Sequence, residues 1–197
     1  MLFGDSTEPA PSELKTEEFA LRPIVVDDAE TDYAAVMEAR EHLRLWRQST
    51  WPEEDFTVEA NRQDLIDLEE RHAAHRAFTY TVLDPAGTTC LGCVYVFPTS
   101  AAFLAKSTVV PLGEDTWTDV EAVVFFWVRL SQMELGMDER LLSALRAWFR
   151  DEWKLDKTVY VTSEQFIQQV DLLARTDLKP KFELLEPGKP RKRVVFG

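Results

Sequence analysis

Apolar residues recur along the chain with two different periods, and the alternation between them predicts a mixture of strands and helices. Segments with apolar residues three or four positions apart predict four helices, at 27–43, 57–75, 138–153 and 163–176. Short runs rich in Val, Phe and Tyr predict strands at 19–26, 77–84, 90–98, 118–130, 157–162, 180–185 and 191–196. We therefore expect an α/β (α+β) fold, with a mixed central sheet of about seven strands flanked by about four helices.

The order of elements shows no internal repeat and no second composition regime, which indicates one domain over residues 18–197. Residues 1–17 are acidic and contain proline, and they are expected to form a disordered arm. This segment lacks the basic and apolar regions of a signal peptide. No apolar run approaches the roughly 18 residues of a membrane span, so a cytoplasmic location is expected.

The charge balance limits the partners. Lys and Arg number 22 against 35 Asp and Glu, which gives a net charge of -13. Such a chain repels nucleic acid backbones and anionic membranes, and neither is expected as a partner. A polyanionic cofactor would need a local concentration of positive potential.

The cysteines and histidines predict no metal site. Cys90 and Cys93 form a C-x-x-C within a strand-like run, without a second pair or a nearby His. Their odd offset on a regular strand would point them to opposite faces, which favours two packing residues. His72 and His75 could share a helix face, but no third ligand is implied.

A candidate binding loop lies at 131–142, "SQMELGMDERLL", between a predicted strand and a predicted helix. Backbone N–H groups at a helix N-terminus point outward, so they can hold a pyrophosphate without a basic side chain. Gly136 would permit close approach, whereas Asp138 would cap the helix and repel a phosphate. An ordinary turn capped by Asp138 remains the alternative to a cofactor loop.

The element order over 19–196 resembles the GNAT superfamily of acyl-CoA-dependent N-acyltransferases. Met133 takes the place of that family's Arg or Gln, Gly136 keeps its first Gly, Asp138 replaces the second, and Leu141 keeps the Leu. The resemblance implies that acetyl-CoA is the co-substrate. It implies backbone contacts to the cofactor from Trp127, Val128, Arg129, Met133, Glu134, Leu135, Gly136, Met137 and Asp138.

The resemblance also implies a general base on the fourth family strand. Glu121 and Asp119 lie in 118–130 at an even offset, so they would share a face of the strand. A carboxylate that takes a proton from the acceptor amine suits this reaction. The family Tyr that protonates the leaving thiolate falls at Leu173, which cannot donate.

The loop at 44–56 lies where this family builds its acceptor pocket. Trp46 and Trp51 could wall that pocket, and the acids at 53–55 could attract a cationic amine. Two functions stay open. One is an N-acetyltransferase that acts on an amine of a small molecule or peptide. The other is a catalytically impaired GNAT-fold protein that serves as a binding module. A homodimer is also left open.

Overall fold

The computed structural model describes residues 3–4 and 9–197. Within these residues it contains nine strands and seven α-helices. The strands are β1 (Leu14–Lys15), β2 (Ala20–Pro23), β3 (Phe78–Leu83), β4 (Cys90–Phe97), β5 (Thr108–Pro111), β6 (Ala122–Val128), β7 (Thr158–Ser163), β8 (Pro180–Leu185) and β9 (Arg193–Phe196). The helices are α1 (Ala29–Glu38), α2 (Arg40–Arg47), α3 (Val58–Ala73), α4 (Ala102–Ala105), α5 (Leu130–Met133), α6 (Met137–Asp151) and α7 (Ile167–Ala174).

The strands form one mixed sheet in the order β1-β2-β3-β4-β6-β7-β9-β8-β5. β6 and β7 are paired in parallel, whereas the other neighbours are antiparallel. The α/β class and the mixed sheet are confirmed, but the expected numbers of strands and helices are too low. The described part of the chain also contains no helix that is both long and apolar enough to cross a membrane.

Helices cover both faces of the sheet. On one face, Tyr80 of β3 packs edge-on against Trp148 of α6, with ring centroids 5.1 Å apart. On the opposite face, the Cys93 Sγ of β4 lies 3.6 Å from a carboxylate oxygen of Asp32 in α1. The central strand β6 is buried along its whole length between these layers, as its Val and Phe content predicts.

Three differences from the predicted elements matter for the site. The helix predicted at 27–43 is divided at Ala39, and its second part, α2, extends to Arg47 into the predicted loop at 44–56. The segment between β4 and β6 is not a simple loop, because it contains α4 and β5, and β5 pairs with β8 at the far edge. The predicted strand at 118–130 is shorter, because Trp117–Asp119 form a 3₁₀ turn before it.

The amino-terminal arm is ordered where it is described. Leu14 and Lys15 pair with β2, and the Tyr80 hydroxyl donates to the Pro11 carbonyl at 2.7 Å. The expectation of a disordered arm over 1–17 is therefore wrong for this part. Residues 1–2 and 5–8 lie outside the described residues.

Candidate active site

The sheet opens at its centre, between β6 and β7. Their parallel pairing runs from Ala122↔Thr158 to Val124↔Tyr160, and no further pair joins the carboxyl-terminal halves of the two strands. Backbone groups alternate in direction along a strand. The Arg129 N–H bonds to β4 at the Leu91 carbonyl, so Phe126 and Val128 direct their backbone groups toward the opening.

Of the three predicted strand contacts, Val128 therefore faces the opening, whereas Trp127 and Arg129 direct their backbone groups to β4. The Phe126 carbonyl is already occupied, since the Gln169 amide of α7 donates to it at 2.9 Å. The Oε1 atom of Gln169 is buried and has no hydrogen-bond partner among the described residues. A side chain thus bridges the opening from α7.

The predicted cofactor loop is wound into a helical turn. The N–H groups of Met133, Glu134, Leu135 and Gly136 donate to carbonyls of residues 129–133 at 3.0–3.2 Å. Gly136 adopts a left-handed conformation with φ 72°, which favours glycine, and it precedes α6. Within the described chain, the Ser131 and Glu139 amides of this loop donate to carboxylates, and only the Met137 and Asp138 amides donate neither to a backbone carbonyl nor to the side chain of another residue.

The prediction that Asp138 is the N-cap of α6 is wrong, because Gly136 holds that position. Asp138 is instead the second residue of the helix, and it is buried. Its carboxylate accepts the Glu139 N–H at 3.0 Å, and burial raises the pKa of Asp138. This acid therefore occupies the first turn of α6, where an anion would be expected to bind.

The arginines near the loop are paired with acids. Arg129 donates to Glu38 at 2.8 Å, Arg140 to Glu18 at 2.7 Å, and Arg146 to Asp177 at 2.7 Å. Glu38 also accepts the Ser131 N–H at 2.8 Å. Burial opposes ionisation of Glu38, but the bonds from Ser131 and Arg129 outweigh it and lower the pKa to about 2. The local positive potential at the loop is therefore largely compensated.

The structure places the two predicted catalytic acids away from the opening. Asp119 lies in the 3₁₀ turn and pairs with Lys157 at 3.0 Å, and Glu121 precedes β6. Neither residue lies on the strand as predicted. The Glu121 carboxylate accepts the N–H groups of Asp156 and Lys157 at 2.8 and 2.9 Å. Four residues of extended chain, about 13 Å, separate Glu121 from Phe125, where the opening begins.

A cavity of about 380 Å³ lies on the α1–α3 side of the sheet, next to the opening. Its aromatic lining comes from α2, β4, α4 and β6 and from the loop after α2, with Trp46, Trp51, Tyr95, Phe97, Phe103 and Phe125. Trp46 and Trp51 thus line a pocket as predicted. The acids at 53–55 do not line it, and Glu54 pairs with Arg40 and Arg44.

The floor of this aromatic cavity contains an acid that the sequence pattern did not single out. Asp32 of α1 is only 3% exposed, and its carboxylate accepts the Asn61 side-chain amide at 2.9 Å. The thiols of Cys93 and Cys90 lie 3.6 and 3.9 Å from its other oxygen. Burial raises the pKa of Asp32 to about 6, although these hydrogen bonds act in the opposite direction.

Both cysteines face Asp32 because β4 is irregular. Val82 pairs with Gly92 and Leu83 with Cys90, so one extra residue, Leu91, is inserted into β4. The expectation that Cys90 and Cys93 point to opposite faces is therefore wrong. A bulge cannot be inferred from the alternation of apolar residues, because it depends on the partner strand.

The opposite side of the aromatic cavity is basic. Arg193 of β9 pairs with Glu186 at 3.1 Å and donates to the Trp46 carbonyl at 2.8 Å. Lys189, in the turn before β9, lies beside it, and burial together with the neighbouring arginines lowers the pKa of Lys189. Arg47 stacks over the Trp51 ring at 4.7 Å.

Comparisons with known proteins identify the fold. No family model matches the sequence, and no curated protein matches it. Among solved structures, the ribosomal-protein-S5-alanine acetyltransferase from Vibrio fischeri shares 20% identity with a TM-score of 0.66, over 94% of this chain and 95% of its own. RimL, a ribosomal L7/L12 alpha-N-protein acetyltransferase in complex with coenzyme A, shares 12% identity with a TM-score of 0.66, over 96% of each chain.

The microcin C7 self-immunity acetyltransferase MccE, in complex with acetyl-CoA and AMP, shares 13% identity with a TM-score of 0.68, over 97% of this chain and 98% of its own. These identities are low, so the likeness concerns the fold. The likeness nevertheless extends over nearly the whole of each chain. The chain therefore has the fold of the GNAT acetyltransferases.

Proposed function

We propose that this protein is an N-acetyltransferase that transfers the acetyl group of acetyl-CoA to an amine of a small molecule or peptide. The observation that carries the proposal is the opening between β6 and β7 beside an aromatic cavity, within a GNAT fold. Solved structures with this fold contain coenzyme A or acetyl-CoA. An acyl donor in the opening would meet an acceptor that occupies the cavity.

In this proposal the backbone of Phe126 and Val128 borders the acyl and pantetheine part of the donor, since these groups face the opening. The Met137 and Asp138 amides at the start of α6 would hold the pyrophosphate, because they are the loop donors that bond neither to a backbone carbonyl nor to the side chain of another residue. Met133, Glu134, Leu135 and Gly136 would contribute only after their helical turn rearranges.

The general base is a separate part of the proposal. Glu121 and Asp119 stay predictions for this role. Either would have to act from the amino-terminal end of β6, where both already hold partners around Lys157. Glu121→Gln tests the prediction. A loss of kcat by about 10²–10⁴ at unchanged cofactor affinity would support a base, whereas an unchanged kcat would remove Glu121 from the reaction.

A second function is favoured by the state of the loop. Four loop amides are bonded internally, Asp138 lies in the first turn of α6, and Gln169 bridges the opening. A protein with these features could keep the fold and bind acyl-CoA weakly or not at all. It would then act through a bound partner rather than by turnover.

Thermal unfolding with and without acetyl-CoA separates the two functions. A donor present at 100 times its dissociation constant stabilises the folded state by about 2.7 kcal/mol, which raises Tm by about 5–11 °C for a chain of this size. Gly136→Val serves as the control, because a branched side chain opposes the left-handed conformation at this position. No change in Tm at millimolar acetyl-CoA would contradict the transferase.

A further inference from the structure

Asp32 carries a charge that the folded protein does not pair. Asp32 is only 3% exposed. The neighbours of its carboxylate are the Asn61 amide, two thiols and the more distant Asp28 carboxylate. Asp28 itself is paired with Arg22 at 2.6 Å. A buried carboxylate without a cationic partner is costly, so its place in a cavity wall points to a ligand that supplies the cation.

The aromatic lining fits the same ligand. The ring centroid of Trp46 lies 5.9 Å from that of Tyr95 and 6.1 Å from that of Phe125, on the face of the sheet that Asp32 contacts. Aromatic faces attract a cation, and they add to the attraction of a buried carboxylate. The Trp46 Nε1–H is buried and has no acceptor among the residues that are described, which leaves a donor available in this wall.

The cations of the cavity are also incompletely paired. Glu186 pairs with Arg193, and Asp67 pairs with Arg71. Within residues 3–4 and 9–197, no acid lies in ion-pair distance of Lys189 or Arg47. Lys189 donates weakly to the Gln48 carbonyl at 3.4 Å. Outside these two ion pairs, the lining keeps two acids, Asp32 at the floor and Asp64 of α3 near Arg47, and two cations, Arg47 and Lys189.

We propose that the aromatic cavity binds a zwitterionic acceptor, an α-amino acid or a short peptide, with its amine at Asp32 and its carboxylate at Lys189 and Arg47. The inference rests on the proposed transferase function and names its substrate class. The volume of about 380 Å³ lies within the range of small-molecule sites and suits an amino acid or a dipeptide. Neither Glu121 nor Asp119 lines this cavity.

The group transfer balances with Asp32 as the proton acceptor. The bound ammonium first loses one proton to solvent, and the neutral amine that results attacks the thioester carbonyl of acetyl-CoA, so a C–N bond forms. As the C–S bond breaks, the electron pair leaves on sulfur as the coenzyme A thiolate. The proton lost by the amine nitrogen passes to an Asp32 oxygen and then to the thiolate by way of solvent. The products are an N-acetyl amino acid and coenzyme A.

The test uses the full chain with matched acceptor pairs. Each of the twenty α-amino acids is compared with its C-terminal amide, which keeps the amine and removes the carboxylate. Coenzyme A release is followed with a thiol reagent at saturating acetyl-CoA. At least one amino acid should be acetylated with kcat/KM about tenfold or more above that of its amide.

Two variants assign the contacts. Lys189→Gln should raise KM about tenfold for the amino acid and leave the amide unchanged. Asp32→Asn should lower kcat by about 10²–10⁴ for both forms, without a lower Tm. Equal use of acid and amide, or an Asp32→Asn variant with a normal kcat, would overturn the proposal.

Direct binding separates this inference from the proposed function. Calorimetric titration of the same amino acids without acetyl-CoA reports on the cavity alone. If acetyl-CoA does not bind, but an amino acid binds and Lys189→Gln weakens it, the transferase fails and the zwitterion site stands. If acetyl-CoA binds, and none of the twenty amino acids binds or is acetylated, the zwitterion site fails and the transferase stands.

Discussion

Replacement of Asp32 by Asn should stabilise the protein at neutral pH. Asn has nearly the same shape and can still accept the Asn61 amide hydrogen bond, but it carries no charge into the interior. The substitution therefore isolates the free-energy cost of the buried carboxylate. Because Asp32 has no basic partner at the cavity floor, no ion pair is broken.

The magnitude follows from the pKa. Burial raises the pKa of Asp32 from 3.8 to about 6, and each unit corresponds to about 1.4 kcal/mol, so the ionised side chain costs about 3 kcal/mol of folding stability. The raised pKa favours the folded state at low pH, and this contribution is lost as the pH rises through about 6. The gain from Asp32→Asn should accordingly be small near pH 4 and complete above pH 7.

The assay is thermal unfolding of wild type and variant between pH 4 and pH 8. The variant should unfold about 6–12 °C higher at pH 8, and the difference should shrink by about half at pH 5. Asp27→Asn is the matched control, because Asp27 lies beside the same helix but is exposed. A variant that is less stable than wild type, by the same amount at every pH, would falsify the assignment of an ionised, unpaired Asp32.

Three further predictions concern the opening and the loop. Gly92→Ala should lower the free energy of unfolding by about 1–3 kcal/mol in a denaturant titration, because a Cβ there would lie 2.1 Å from a carbonyl oxygen of β6. The control Gly113→Ala should leave the free energy of unfolding nearly unchanged, because the space around Gly113 is open. Asp138→Asn should tighten acetyl-CoA binding several-fold by calorimetry, because a buried acid leaves the first turn of α6, and unchanged affinity would place the phosphates elsewhere. Gln169→Ala should also tighten binding, because it releases the Phe126 carbonyl, and weaker binding would mean that Gln169 holds the donor itself.

The regular elements could be predicted from the sequence because local periodicity determines them. The spacing of Leu141, Leu145 and Phe149 predicts α6, and these side chains are buried in the core. Thr57 is of a residue type that favours the N-cap position, and its hydroxyl accepts the Ala60 N–H at 3.1 Å at the start of α3. The strand β5 could not be predicted, since four residues in a polar segment become a strand only by pairing with β8, more than 70 positions away.

The site was harder to predict because its residues are defined by contacts between distant segments. In the sequence, Asp32 is one of several acids in the first turn of a helix, which is typical of a solvated helix start. Only packing against β4 and α3 makes it a buried group. For Glu121 the error is the reverse. The long Val- and Phe-rich run predicts that Glu121 lies within a buried strand, but the strand begins one residue later, at Ala122.

The irregularities of the sheet lie at the carboxyl-terminal end of β6, and they favour this end of the strand as the place of the reaction. At that end, Gly92 allows close approach to the β6 backbone, the bulge at Leu91 turns Cys90 toward Asp32, and the pairing with β7 has stopped. Bulges and interrupted pairing redirect side chains and free backbone groups, both of which a binding site requires. At the other end, β6 is regularly paired on both sides, and Glu121 is bound to the chain that precedes β7. A proton acceptor for an amine held in the aromatic cavity is therefore better provided by Asp32 than by an acid at the regular end of the strand.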